Sequence, residues 1–366
     1  MLRAGQLLGA AVTIGAAAVA GGLLEARAFQ LVRHAVRLPP GPGAQCRILH
    51  ISDTHYQRGQ RAKAEFLTSL AHTQPDLVVF TGDMVGEDEA VGEFLDALGG
   101  LLALPGVFVR GSNDYFGPQW TNPLAYLGSG PDRTRPVRRK LEWQLLSDAL
   151  VDAGWKDVDN AAARLEVNGL TIECRGADDA HMDQDNYRKA VKAAKKLRKK
   201  SGKAPDLVIG VTHSPYRRML EEMAEDGVDL VLAGHTHGGQ ICLPVYGALV
   251  SNCDLPPALA KGLFEWPDSL TVEKFGVFGR KSPKNPEFLD SQRGGAAPDP
   301  GTTPDPSSTP DPSSTPESGT TPDPGATSAT RSVPVHITAG VGASPNFPLR
   351  LFCRPEACLL EVARLN

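Results

Sequence analysis

The sequence predicts a layered α/β fold, with helices packed on sheet and a set of polar residues gathered along one sheet edge. Two observations carry that expectation. Short apolar runs recur along the chain, each ending in a polar tip and most followed by a stretch with helical spacing, the pattern of strand, loop and helix repeating around a sheet. The stretch Leu230-Val231-Leu232-Ala233-Gly234-His235-Thr236-His237-Gly238-Gly239-Gln240 shows this most sharply: a buried strand running into two histidines one residue apart, boxed by glycines. On extended backbone, residues i and i+2 point the same way, so both imidazoles can face one site. The chain, at 366 residues, is long enough to bury a substantial core.

Taken in order, the chain opens with an uncharged run of 18 residues, Leu7 to Leu24. As a helix it would be about 27 Å long, close to the thickness of a bilayer core. It reads as a membrane anchor, as a cleaved signal (Arg3 precedes it and Ala18-Val19-Ala20 fits a small-residue cleavage site), or as a buried helix, since ten of the 18 residues are Ala or Gly. The anchor is preferred, which makes 1–38 an apolar amino-terminal segment and the protein membrane-associated. Arg27, Arg33 and Arg37 follow the run, a weak bias of the main domain toward the cytoplasm.

The breaker cluster Pro39 to Gly43 precedes the folded part. Arg47-Ile48-Leu49-His50-Ile51 reads as a strand running into Ser52-Asp53-Thr54-His55, an acid and an imidazole again two apart. A helical pattern over 60–73 leads to Asp76-Leu77-Val78-Val79-Phe80, ending in Thr81-Gly82-Asp83. A second helical stretch, 88–102, leads to Val107-Phe108-Val109-Arg110 and the tip Gly111-Ser112-Asn113-Asp114. After a helix over 143–153, Arg164–Val167 and Thr171–Arg175 flank Asn168-Gly169, a two-residue hairpin turn. The loop from Gly176 to His181 precedes a basic helix, Tyr187 to Lys203. We read that helix as a solvated face in preference to a contact with anionic lipid or a phosphorylated substrate. Asp206–Val211 is the next strand, ending in Thr212-His213-Ser214-Pro215, and a helix through Met223 returns the chain to His235 and His237.

From Asn285 to Ser332 the composition turns to Pro, Thr, Ser, Asp and Gly, with Thr303, Thr309, Thr315 and Thr321 in phase in a repeating hexamer. Such a segment cannot bury a core and is expected to be disordered. Val333–Ala339 and Leu349–Cys353 then read as strands. The insert 285–332 therefore splits one domain, 46–284 and 333–366. The net charge of −4 leaves no nucleic-acid footprint, so no stable nucleic-acid complex is expected. The six cysteines, Cys46, Cys174, Cys242, Cys253, Cys353 and Cys358, include no Cys-x-x-Cys pair and read as small buried residues.

Five strands thus end in groups suited to hard or borderline cations: Asp53 and His55, Asp83, Asn113, His213, then His235 and His237. Mixed carboxylate, imidazole and amide oxygen suits iron, manganese or zinc. The order of the tips (Asp-x-His, Gly-Asp, Gly-x-Asn-Asp, a lone His, Gly-His-x-His) resembles the calcineurin-like metallophosphoesterases over roughly 46–266 and 333–366. The Gly-Gly-Gln ending and the apolar start resemble the membrane-associated bacterial branch. The resemblance implies a layered αββα sandwich with a metal site at strand ends, preceded here by the apolar helix. It implies two divalent or trivalent ions (Mn, Fe or Zn): Asp53, His55 and His237 holding the first, Asp83 bridging, and Asn113, His213 and His235 holding the second. Asp83, Asn113 and His235 would be the catalytic set. The implied activity is hydrolysis of a phosphomonoester or phosphodiester, a lipid or nucleotide-containing ester among the candidates, by attack of a metal-bridging hydroxide.

One block departs from the family pattern. Where the family has Gly-Asn-His-Asp, this chain has Gly111-Ser112-Asn113-Asp114. Read without a gap, Ser112 takes the ligand position and Asn113 that of the histidine which protonates the leaving group. Read with a one-residue slip, which we prefer because an amide oxygen is the better ligand, Asn113 keeps the ligand role and Asp114 falls where the histidine was. His181 could supply an acid, though a surface position is the simpler reading. The altered block leaves a second function class open: a metal-retaining, weakly active, membrane-tethered binding protein.

Overall fold

The computed structural model describes residues 4–41, 45–118, 138–267, 332–344 and 347–365. Among these, two six-stranded sheets lie face to face. The first is built from β1 (Gln30–Leu38), β2 (Gln45–Ile51), β3 (Leu77–Thr81), β4 (Gly106–Val109), β5 (Lys156–Asp157) and β14 (Glu356–Arg364), in the order β1-β14-β2-β3-β4-β5. The second is built from β6 (Ala162–Val167), β7 (Leu170–Ala177), β8 (Leu207–Thr212), β9 (Leu230–Ala233), β12 (Gly262–Trp266) and β13 (Val333–Ile337), in the order β12-β13-β9-β8-β7-β6. A small ribbon, β10 (Cys242–Leu243) and β11 (Gly247–Ala248), lies beside them.

Alternation along each strand builds three apolar layers. In β2, Ile48 faces the opposing sheet and packs with Val79, Val107, Ile209, Leu232 and Leu360. Its neighbours Leu49 and Ile51 turn outward against α2 (Arg61–Ser69), α3 (Val91–Leu98) and α5 (Trp143–Asp152), through Leu67, Phe94 and Leu150. A single helical turn, α4 (Ser112–Tyr115), carries the polar tip after β4. On the far side Val208, Val231 and Val335 meet α6 (Tyr187–Ser201) and α7 (Arg217–Glu225) through Ala190, Leu220 and Met223. The order helix, sheet, sheet, helix is the layered arrangement expected. In α6 the buried residues are Tyr187, Ala190 and Ala194; Arg198 reaches the Glu173 carboxylate at 2.9 Å, and the rest of the basic face points away from the core.

Three expectations need correction or extension. The first sheet reaches back into the amino-terminal segment: Gln30–Leu38 is a strand, paired parallel with β14. Leu349–Cys353 is not a strand; it is irregular, pinned by the fully buried Arg350, and the strand follows at Glu356–Arg364. The apolar start does form a helix, α1 (Ala4–Glu25), but among the described residues no helix is long and apolar enough to cross a membrane. The end of α1 is instead fastened to the domain. Gly22 O accepts the Arg350 amide at 3.2 Å, and the Glu25 carboxylate accepts the amides of Phe352 and Cys353 at 3.0 and 2.7 Å.

The insert expected at 285–332 lies, apart from Ser332, outside the described residues. Its two flanks are neighbours: β12 and β13 pair antiparallel with Trp266 opposite Val333. A chain that leaves and returns at paired residues places no demand on the loop between them beyond closure, which costs only about 0.6 kcal/mol per doubling of length. Deleting Pro298 to Thr330 is therefore expected to shift the melting temperature by no more than a degree or two and to leave metal content unchanged. A fall of ten degrees would show that the segment packs on the domain.

Candidate metal centre

Parallel pairing places the carboxyl ends of β2, β3 and β4 side by side in one sheet and those of β8 and β9 in the other. The polar tips that follow them converge. Backbone bonds tie the loops together: Asp53 N–H donates to Gly82 O at 2.9 Å, His55 N–H to Asp83 O at 3.0 Å, and Gly234 N–H to His213 O at 3.0 Å. The approach is close enough to exclude side chains at two glycines. A Cβ on Gly111 would collide with the Asp83 carboxylate, and one on Gly234 with Ser52 Oγ. Asp53, His55, Asp83, His235 and His237 all hold left-handed backbone, with φ between 40 and 69°. Non-glycine residues pay of order 1–3 kcal/mol each for such conformations, a cost that concentrates at functional sites.

Two groups of ligand-type atoms result, Asp53 with His55 and His237, and Asp53 with Asp83 and His213. In the first, His55 Nε2 lies 3.2 Å from His237 Nε2, and His237 Nε2 lies 3.6 Å from Asp53 Oδ1. In the second, His213 Nε2 lies 3.3 Å from His235 Nδ1. The same oxygen, Asp83 Oδ2, stands 3.6 Å from His55 Nε2 and 3.5 Å from His213 Nε2, between the two groups. Asn113 meets this carboxylate twice, its amide N–H on Oδ1 at 2.8 Å and its side chain on Oδ2 at 2.6 Å. All seven residues named from the sequence are thus within one cluster.

Hydrogen bonding settles which imidazole nitrogens are bare. His213 Nδ1 faces Thr81 O at 2.6 Å, His235 Nε2 faces Asn252 O at 3.1 Å, and His237 Nδ1 faces Gly342 O at 3.1 Å. A carbonyl accepts only, so each of those nitrogens carries the proton. His213 Nε2 and His235 Nδ1, the two nitrogens left for ligation, then face one another. Asp53 Oδ1 and His55 Nδ1 are buried without a hydrogen-bond partner. Burial holds His235 and His237 well below the usual imidazole range and pushes His55 down to about 4, so all three are neutral. Against burial, Asp83, Asp179 and Asp53 push His213 up to about 10, a measure of how strongly these carboxylates call for positive charge. Facing imidazole nitrogens, an orphaned carboxylate oxygen and three neutral imidazoles together fit cations.

Two of the neighbours, Asp114 and His181, were named from the sequence without their contacts; Arg350, Arg138 and Lys63 were not legible there. Asp114 is fully enclosed, and its carboxylate accepts four backbone N–H groups: Asp83 at 2.8 Å and Gly111 at 2.9 Å on one oxygen, Met84 at 2.7 Å and Val85 at 3.4 Å on the other. It fastens the second tip to the third. Arg350 donates to the carbonyls of Ala339 at 2.6 Å and of His237 at 3.3 Å, locking the carboxyl-terminal loop to the histidine loop. Arg138 donates to Asn113 Oδ1 at 2.5 Å. His181 is half-buried, its ring 4.8 Å from that of His235, with Nδ1 3.0 Å from Tyr216 Oη. Beside His55 opens a cavity of about 660 Å³, lined by Gln60, Arg61 and Lys63 and, toward α1, by Leu23 and Phe29. Burial brings Lys63 down to about 7.

The model of the family described as calcineurin-like phosphoesterase matches residues 46–239. The uncharacterized protein YpbG of Bacillus subtilis (strain 168) is 29% identical over 203 residues, which cover 55% of this chain and 64% of that protein. Phosphodiesterase YaeI of Escherichia coli (strain K12) is 26% identical over 223 residues, 60% of this chain and 70% of that one. Among solved structures, the 5'-nucleotidase precursor from Thermus thermophilus aligns over 87% of this chain and 55% of its own at 13% identity, with a TM-score of 0.41.

Proposed function

Because the chain belongs to the calcineurin-like phosphoesterase family, we propose that it is a two-metal phosphoester hydrolase acting on phosphodiesters. The observation that carries the reading is the position of Asp83 Oδ2, within 3.6 Å of a nitrogen in each ligand group. Asp53, His55 and His237 would hold one ion, His213, His235 and Asn113 the other, with Asp83 shared. Bound there, the pair supplies Lewis acidity that activates water and neutralises phosphate charge. The protein's own part is to aim its imidazoles, through Thr81 O, Asn252 O and Gly342 O, and to keep the site fixed. Lys63, whose ammonium donates to Thr54 O at 2.6 Å, and Arg61 give the neighbouring cavity a basic wall. Leu23 and Phe29 give it an apolar one. That pairing suits a diester with one apolar or nucleoside arm, a class that includes lipid and nucleotide esters. YaeI being named a phosphodiesterase supports the diester class.

The third block lacks a histidine, so His181, packed against His235, is the group we assign to leaving-group protonation. His181→Ala should then slow alkyl phosphodiesters about 10²-fold or more while sparing nitrophenyl esters, whose leaving group departs without a proton. Equal loss on both classes would remove the role. The hydrolase reading is tested with bis(nitrophenyl) phosphate: the metal-stripped chain should be inert, and manganese should restore turnover. A fully loaded chain without turnover on any phosphodiester would favour the binding-protein reading.

We also propose that the protein sits at a membrane surface through α1, on which Val19, Leu23 and Leu24 are 49, 46 and 72% exposed. Co-sedimentation with anionic vesicles that survives removal of residues 1–25 would count against this.

A further inference from the structure

Of the nine histidines, three that serve none of the strand tips meet elsewhere. His34 on β1, His50 on β2 and His336 on β13 lie between the two sheets, with ring centroids 5.0 Å apart for His34 and His336 and 5.1 Å for His50 and His336. The thiol of Cys358, on β14, completes the group. Elsewhere this inter-sheet layer is Val36, Leu38, Ile48, Leu360 and Val362. Three imidazoles are costly replacements for such residues unless every nitrogen is hydrogen-bonded or binds something.

We infer that His34, His336 and Cys358 form a separate mononuclear cation site of the zinc type, placed between the sheets and behind the dinuclear centre. One ligand atom from each residue lies within 4.8 Å of the others. Zinc ligated at about 2.0–2.1 Å by nitrogen and about 2.3 Å by sulfur would space tetrahedral ligands about 3.3–3.6 Å apart, inside that upper limit, so the side chains must rotate inward to close the site. His336 is fully buried, and its Nε2 has no hydrogen-bond partner, a costly state for a polar group that nothing else satisfies. Its other nitrogen is engaged, 2.9 Å from His50 Nδ1. The Cys358 thiol makes a long contact, 3.7 Å to Thr338 Oγ1, and also meets the Glu356 carboxyl. His34 stands on the edge strand of its sheet and is half-buried, so solvent can reach the cluster and supply a fourth ligand. Binding releases one proton, from the Cys358 thiol to water; the imidazoles bind as neutral bases.

A cation on His336 Nε2 fixes every proton behind it. His336 Nδ1 must then donate to His50 Nδ1, and His50 Nε2 to Thr81 Oγ1 at 2.9 Å. The carbonyl of that threonine accepts from His213 Nδ1. Such outer contacts set ligand orientation and tautomer in metal sites generally, and here one threonine serves both.

The test uses the full chain loaded with cobalt(II). The dinuclear cluster contains no thiolate, so a sulfur-to-cobalt charge-transfer band in the near ultraviolet reports this site alone. The wild type is expected to show the band. Cys358→Ser is expected to lose it, and elemental analysis of the zinc-loaded proteins should find one ion fewer per chain in the variant. Should Cys358→Ser fail to fold, His34→Gln on the half-buried edge decides, with the band lost at cobalt concentrations that saturate the wild type. A folded, cobalt-loaded wild type without the band, or a band unchanged in the folded variants, overturns the site.

Discussion

Asp83→Asn is expected to lower phosphodiester hydrolysis by about 10³-fold or more and to reduce metal content at both positions of the cluster together. Asparagine keeps the shape of the side chain and one carbonyl oxygen. It removes the charge from a carboxylate whose Oδ2 faces both His55 and His213, at 3.6 and 3.5 Å. It can also turn an N–H toward a position that needs an anion. A ligand confined to one position would spare the other. Elemental analysis of the purified variant beside the wild type, with nitrophenyl phosphodiester turnover in saturating manganese, separates these outcomes. Wild-type metal content would refute the shared role. A rate loss of this size is about 4 kcal/mol of transition-state stabilisation, within what electrostatic groups at such sites supply.

The second large effect is on stability. Asp114→Asn is expected to destabilise the fold by about 3 kcal/mol, since one of its two oxygens becomes an amide nitrogen facing backbone N–H groups that need an acceptor. Melting temperature should fall by the order of 5–10 °C. Burial and the neighbouring Asp83 push the Asp114 carboxyl up to about 7, while its four backbone donors favour the ionised form. Activity should fall alike on nitrophenyl and alkyl esters, because the substitution loosens the tips that place Asp83 and Asn113. A selective loss on alkyl esters, with unchanged melting, would mean that Asp114 delivers a proton after all. Thermal scans and the two substrate classes suffice.

The two residues show what sequence could and could not yield. Asp83 was legible because its role depends on local order: an apolar strand, a glycine, then an acid. The same holds for Asp53, His55, His213, His235 and His237, each close behind an apolar strand in the chain. Asp114 was visible as an acid at a strand tip, but its role depends on loops about 30 residues away in the chain, and no local pattern records that. Arg350 was less legible still, a lone cation in a short irregular stretch whose partners lie 3 to 113 residues away. The strand β1 was hidden by its charges, since an edge strand shows only one apolar face. The strand β14 lacks strict alternation because both its faces are covered. His34, His50 and His336 gave no sign of one another because strand register, not spacing along the chain, brings them together.

The order of strands in the first sheet has a consequence for how the protein is made. Its last strand, β14, occupies the place between its first two, β1 and β2. A ribosome releases β2 roughly 300 residues before β14, an interval on the order of 15–60 s at ordinary elongation rates. Throughout that time β1 and β2 present unpaired edges, the kind of surface that recruits other chains. The sheet therefore cannot close until Glu356–Arg364 has left the ribosome. A message truncated before Glu356 would yield a nascent chain with two open strand edges rather than a shorter folded domain.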